Sequence, residues 1–135
     1  MEANTIQKYR GKSIAQLIRL ATKPFNKFIR ERDFAFGCIS CGERVTQAGH
    51  YRSAGHHPHL RFNEQNVNGQ CTRCNLFLRG NLIDYRKGLV KKIGILEVDG
   101  LESIRVINFK WDRFTLIAII EKYRDKIRSH QSSGE

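Results

Sequence analysis

Two cysteine pairs share one spacing, Cys38-Ile39-Ser40-Cys41 and Cys71-Thr72-Arg73-Cys74. Two intervening residues let both thiolates of a pair reach one ion from a single tight turn. Two such pairs complete a tetrahedral sulfur site suited to zinc, with Zn–S near ~2.3 Å. A redox role is disfavoured, because no βαβ pattern surrounds either pair. The segment between the pairs, Gly42 to Gln70, is longer than a simple zinc ribbon needs. Within it or beside it stand His50, Asn66 and Asn75. Phosphodiester hydrolysis needs a base to take a proton from water and a cation to stabilise the leaving oxygen. A neutral histidine can be that base near pH 7. A carboxamide can hold the imidazole's orientation, and oxygen or nitrogen ligands suit Mg²⁺ or Mn²⁺. The reading is therefore His50 as base, Asn66 as its orienter and Asn75 as a metal ligand. Each also has a plainer role, as a strand histidine, an Asx-turn residue and a helix cap.

The loop Gly55-His56-His57-Pro58-His59 adds three histidines. His57 is favoured for metal or phosphate contact because Pro58 fixes the backbone beside it, and His56 and His59 less so. Arg52, Arg61, Arg73 and Arg79 lie close in sequence to the candidate site, and Arg86, Lys91 and Lys92 follow. All seven are candidates for phosphate contact. They belong to a chain of 135 residues with formal charge +11 and pI about 9.9. Such an excess favours a polyanion, here DNA, as partner. The basic residues alternate with aliphatic and aromatic ones, which speaks for folded basic faces rather than a disordered tail. No apolar run is long enough to span a membrane. There is no secretory leader, so an intracellular, cytoplasmic location is expected, where four cysteines point to a metal rather than disulfides.

Several elements must position these groups. Ile14, Leu17, Ile18, Ala21, Phe25, Phe28 and Ile29 recur at helical steps from Ser13 to Arg32, with Ser13 as N-cap and Pro24 as a kink or a fresh start. Val45 to Tyr51 reads as a strand leading into His50, and Leu60 and Phe62 as a second strand. The stretch from Asn66 to Leu82 reads as turn and helix start, with Asn75 opening a helix across the hairpin. Leu82 to Val90 is helical and stops at Gly94, Ile95 to Leu101 is a further helical turn, and Thr115 caps a last helix.

The order histidine, asparagine, Cys-x-x-Cys-Asn is similar to that of zinc-bearing HNH nucleases. More specifically, the chain resembles the NinG/Rap family of lambdoid phage recombination endonucleases. The marks are Cys38-Ile39-Ser40-Cys41-Gly42, Ala48-Gly49-His50-Tyr51-Arg52, His57-Pro58 with Leu60-Arg61-Phe62, then Asn66, Gln70-Cys71 and Cys74-Asn75. Gly80-Asn81, Tyr85-Arg86 and Leu89-Val90-Lys91-Lys92-Ile93-Gly94 complete them. The resemblance implies a metal-dependent, structure-selective endonuclease acting on Holliday junctions and D-loops in phage or prophage recombination. It also makes Asn81 a candidate near the metal. Two positions depart from the HNH pattern. Gly49 stands where an Asp or His metal ligand usually precedes the base, so another ligand, His57, is expected to serve. Leu78 stands where a lysine is frequent, with Arg79 beside it.

The fold expected is α+β: a small ββα-metal (HNH-like) core with a Cys₄ zinc site, flanked by N- and C-terminal α-helices. One domain over 1–135 divides into a basic helical region 1–36, the zinc and HNH core 37–94, a helical region 95–129 and a frayed tail 130–135. The cofactors expected are structural zinc and catalytic Mg²⁺ or Mn²⁺, and a homodimer would supply two active sites to a branched substrate. Two other readings are a zinc-dependent DNA-binding module without catalysis and an HNH endonuclease cutting linear duplex.

Overall fold

The computed structural model describes residues 1–133, with side chains to residue 129. Of the tail expected to fray, 130–133 continue the last helix and 134–135 lie outside the described residues. Contacts group the chain into two compact units. One joins Met1–Phe28 to the segment from Lys110 onward, and the other is Ile29–Phe109.

The first unit is helical. Helix α1 spans Ala3–Lys8, α2 spans Ile14–Asp33 and α5 spans Arg113–Ser133. Ser13 opens α2 through a reciprocal box. Its Oγ accepts from the Gln16 amide at 3.1 Å and its own amide donates to Gln16 Oε1 at 2.8 Å. Pro24 lies inside α2, and no second helix starts there. Leu17, Ala21 and Phe25, one helical turn apart, are buried with Leu116, Ile117, Ile120 and Tyr123 of α5. The Phe25 and Tyr123 rings meet edge to face at 4.8 Å. Helix α5 is capped by Asp112 and not by Thr115, because the carboxylate of Asp112 accepts from the Phe114 and Thr115 amides at 3.1 and 3.2 Å.

The second unit is built on a two-stranded antiparallel hairpin. Strand β1 is Gln47–His50 and β2 is Val67–Gln70, in the register Gln47↔Gln70 to His50↔Val67. The expected second strand at Leu60 and Phe62 is not there. Pro58–Leu60 form a 3₁₀ turn, and Leu60 enters the core. The real partner of β1 is polar in sequence yet buried at all four positions. Cys74 and Asn75 lie in a single π turn, Arg73–Phe77. Asn75 therefore does not start the crossing helix. Helix α3, Leu82–Ile93, begins after it and ends at Gly94, and α4, Ile95–Ser103, follows. Tyr51, Leu60, Tyr85, Leu89, Val98 and Leu101 form the apolar core. Helix α3 lies so close to the first cysteine turn that a Cβ at Gly88 would fall 2.0 Å from the Ile39 carbonyl oxygen.

A buried ionic network ties the end of α2 to the hairpin and to α3. Asp33 is 3% exposed. It accepts from Arg32 Nε and Nη2 at 2.8 and 2.9 Å, from the Gly69 amide at 2.8 Å and from Lys92 Nζ at 3.1 Å. Burial alone would raise the Asp33 carboxyl. The hydrogen bonds from Arg32 and Gly69, with the charges of Arg32 and Lys92, hold it below the usual carboxylate range. Stability from a depressed carboxyl is fully present above the unfolded value near pH ~3.9, and is lost as pH falls through the folded value. Asp33→Ala leaves Arg32 and Lys92 without their counter-charge and the Gly69 amide without its acceptor, and is expected to cost about 3–5 kcal/mol at pH 7. Urea unfolding checks this; the mutant's penalty should shrink below pH ~4, and a penalty independent of pH would refute the ionic account.

Candidate active site

The two cysteine turns flank the hairpin, Cys38 and Cys41 before β1 and Cys71 and Cys74 after β2. Their four sulfurs lie within 4.8 Å of one another, and Cys41 and Cys71 Sγ are 3.6 Å apart. A tetrahedral ion with Zn–S of ~2.3 Å sets its sulfurs about 3.8 Å apart, so this group could hold structural zinc. Burial first, then hydrogen bonds with the other three cysteines, push the Cys41 thiol up to about 12. A cation at the centre would favour thiolates instead. The Asn81 amide donates to Cys74 Sγ at 3.5 Å. Asn81 thus touches the cysteine site through its Nδ2.

His50 ends β1, half-buried. Its Nε2 lies 2.9 Å from the Arg61 carbonyl oxygen. A carbonyl only accepts, so in the neutral ring the proton sits on Nε2 and Nδ1 is left as an acceptor. Burial pushes the imidazole below the ordinary histidine value. The bond to the Arg61 carbonyl opposes this shift, and the Arg61 charge adds to it. A neutral imidazole with a free Nδ1 is the form a general base requires.

The side-chain hydrogen bonds of Asn66 go to backbone groups rather than to this ring. Its Nδ2 donates to the Arg52 and Leu60 carbonyls at 3.0 and 3.1 Å, and its Oδ1 accepts from the Arg52 amide at 2.8 Å. With its carboxamide fully committed to backbone, Asn66 staples the loop that carries Arg61. It orients His50 only through that loop, and the direct orienter is a carbonyl that no side-chain motif announces. Behind the strand, the buried Tyr85 hydroxyl donates to the Gly49 carbonyl at 2.7 Å and receives from Asn68 Nδ2 at 3.1 Å. Burial raises the Tyr85 phenol, which keeps it a donor.

Asn75 Nδ2 donates to Gln47 Oε1 at 2.6 Å, which sets Asn75 against β1. Gly49 is a glycine because its place is filled. A Cβ there would lie 1.7 Å from Gln70 Oε1 and 2.9 Å from Asn75 Oδ1. Gln70 was not among the expected site residues; the alternation Asn66-x-Asn68-x-Gln70 was the available sign of a strand with a polar buried face.

The ring contact shown for His57 is with His59. Its ring packs at 6.1 Å from that of His59, which in turn packs on Phe109 at 6.0 Å. Burial, then the charges of Arg52, His59, His56 and Arg105, lower its pKa. The Arg52 and Arg105 guanidiniums beside His57 suit contact with a phosphate. Among the described residues, the four cysteines are the only group of three or more His, Cys, Asp or Glu close enough to hold an ion.

A family model described as Bacteriophage Lambda NinG protein matches residues 2–133. The chain belongs to the NinG family. It is 40% identical over 134 residues to Protein ninG of Escherichia phage lambda and 39% identical over 131 residues to that of Salmonella phage P22. Each alignment covers 95% of this chain and 64% of the relative, so the chain spans about two-thirds of their length. No solved structure matches. No helix among the described residues is long and apolar enough to cross a membrane.

The basic residues divide by what they face. In this family member Arg86 is committed to Glu102 through Nε at 2.9 Å and Nη2 at 3.0 Å, and reaches Asp99 at 3.3 Å. Lys92 Nζ is held by Asp33 and by Asn68 Oδ1 at 2.6 Å. Both side chains are thus engaged with carboxylates of the fold. Arg73, Arg79 and Lys91 are exposed and remain available, as does the half-buried Arg61.

Zinc binding to four thiolates can contribute on the order of 10 kcal/mol of apparent folding energy. Chelation is expected to release one zinc per chain and unfold the hairpin unit. Metal analysis with circular dichroism checks this; a native spectrum after complete zinc loss would refute it.

Proposed function

We propose that this chain is a metal-dependent DNA endonuclease of the HNH type, acting on branched recombination intermediates such as Holliday junctions and D-loops. The observation that carries the reading is His50. It is held neutral at a strand end with Nε2 bonded and Nδ1 free, beside a turn that a cysteine site braces. The proton of the attacking water goes to His50 Nδ1. Arg61 keeps the ring in place through its carbonyl and, with Arg73 and Arg79, neutralises phosphates flanking the cut.

A bound Mg²⁺ or Mn²⁺ would stabilise charge on the phosphate and the leaving oxygen. Asn75 Oδ1 is an oxygen donor of the right chemistry to hold it. Mg²⁺ keeps waters and takes phosphate oxygens from its substrate, so a sparse protein ligand set fits. The phage recombination setting and the branched substrate rest on family resemblance, and the acceptance of DNA rests on the charge of +11.

One observation favours a second reading, a zinc-stabilised DNA-binding module without catalysis. Among the described residues, His50 belongs to no group of three or more His, Cys, Asp or Glu close enough to hold an ion.

Cleavage of a labelled four-way junction and of its matched linear arms, in Mg²⁺ or Mn²⁺, separates the readings. His50→Ala is expected to lower the rate by about 10²–10⁴ while binding is kept. Because burial depresses the His50 pKa, the acidic limb of the wild-type rate profile should fall below pH ~6.5. Binding without cleavage by both proteins would establish the module instead. Equal cutting of junction and linear arms would favour an enzyme of linear duplex.

A further inference from the structure

We propose that Gln70 is a ligand of the catalytic divalent cation, its Oε1 standing where a side chain at position 49 would otherwise reach. The proposal rests on the nuclease reading above. Gln70 is 0% exposed, and its Oε1 receives no hydrogen bond among the described residues. Buried acceptors are seldom left in this state.

The orientation of the carboxamide is settled by its other end. Nε2 has two hydrogens, and two acceptors take them, Ser40 Oγ and the Gly80 carbonyl, each at 2.8 Å. Reversing the amide would turn an oxygen toward that carbonyl, so Oε1 must face β1. The register places Gln70 opposite Gln47, hence on the face of the hairpin that Gln47 and Gly49 share.

Asn75 is arranged in the same sense. Its Nδ2 is held by Gln47, and its Oδ1 approaches the point where a Cβ at Gly49 would stand, 2.9 Å away, with Gln70 Oε1 at 1.7 Å. Gln70 thus has both N–H bonds committed and Asn75 one, and the two carboxamide oxygens are turned to one place. Converging oxygens with no donor between them are what a hard cation such as Mg²⁺ or Mn²⁺ takes. This also accounts for Gly49 at the position before the base. The oxygen comes from the opposite strand, and any side chain at 49 would displace it. Both oxygens are uncharged, so the cation would be held weakly until DNA phosphate joins it.

Mn²⁺ titration of the zinc-loaded protein, followed by electron paramagnetic resonance, tests the assignment. Gln70→Met keeps the length and removes the oxygen. It is expected to weaken Mn²⁺ binding at least about tenfold while zinc content stays at the wild-type level. Gln70→Glu gives up the bonds to Ser40 and Gly80 but adds an anionic oxygen, and is expected to bind Mn²⁺ more tightly than wild type. A residue that merely braces Ser40 and Gly80 would show no such gain. Should either variant lose zinc and unfold, the wild-type protein decides alone. Substoichiometric Mn²⁺ should broaden the side-chain amide signals of Gln70 and Asn75 before the others in a ¹⁵N spectrum. Mn²⁺ binding unchanged by Gln70→Met, or these amide signals left sharp while Mn²⁺ binds elsewhere, would overturn the proposal and leave the nuclease reading intact. A wild-type protein that neither takes up Mn²⁺ nor cuts DNA with it would remove both.

Discussion

Strand β2 is buried along its whole length, yet it carries Asn68 and Gln70, with Asn66 immediately before it. Polar groups in such a place destabilise the fold unless their donors and acceptors are met. Meeting them dictates where the neighbouring elements lie. Asn66 is met by the backbone of Arg52 and Leu60, which closes the loop after β1. Asn68 is met by Lys92, Arg32, Tyr85 and the Gln65 carbonyl, which draws α2 and α3 onto the hairpin. Gln70 Nε2 is met by Ser40 and Gly80, which joins the two cysteine turns across the strand. A slip of one residue in register would turn this set to the wrong face, so the polar strand specifies one pairing more sharply than an apolar strand would.

The cysteine site and this polar strand fix the same points from two directions. The Ile39 amide donates to the Gly69 carbonyl at 2.9 Å, and the Cys38 amide to the Glu43 carbonyl at 2.7 Å. The first cysteine turn is thereby fastened to β2 as well as to a metal. On the other side Arg79, Gly80 and Asn81 all take positive φ. Such a run is unfavourable for the two residues that bear side chains. It is held because the Gly80 amide donates to the Cys74 carbonyl at 2.8 Å, while the Gly80 carbonyl accepts from Gln70 and Ser40. Metal, turn and strand therefore depend on one another, and Asn75 sits where all three meet.

What could be read in the sequence follows from this physics. Cysteine spacing and the apolar face of α2 are local patterns, and the structure brings the four sulfurs together and buries Leu17, Ala21, Phe25 and Ile29. Apolar Leu60 and Phe62 suggest alternation in the sequence, yet β1 pairs with Val67–Gln70. A strand written Val-Asn-Gly-Gln looks like a loop to any hydropathy argument, since its burial depends on partners far along the chain. Arg86 and Lys92 were counted with the phosphate contacts because charge in a sequence does not say what it faces. Their carboxylates, Glu102 and Asp33, come from α4 and from the end of α2. The direct hold on His50 was illegible for a related reason, since every residue offers a carbonyl and only the fold chooses that of Arg61.

The electrostatics of the site follow from the same economy of charge. Between Gln65 and Ile83 the chain has no Asp or Glu, while Arg73 and Arg79 lie exposed in that stretch. The polar donors nearest Gly49 are neutral amides. A site of this kind has little to hold a dication before substrate arrives, and burial, with the Arg61 charge, lowers the His50 pKa. Approach of a DNA phosphate reverses both conditions. The anion supplies the charge a dication lacks here, and it raises the proton affinity of a nearby imidazole. In the proposed reaction the phosphate therefore both helps to hold the dication and makes His50 a stronger base for the water proton. Adding a carboxylate would bind the metal more tightly before DNA arrives, and it would weaken that dependence on substrate.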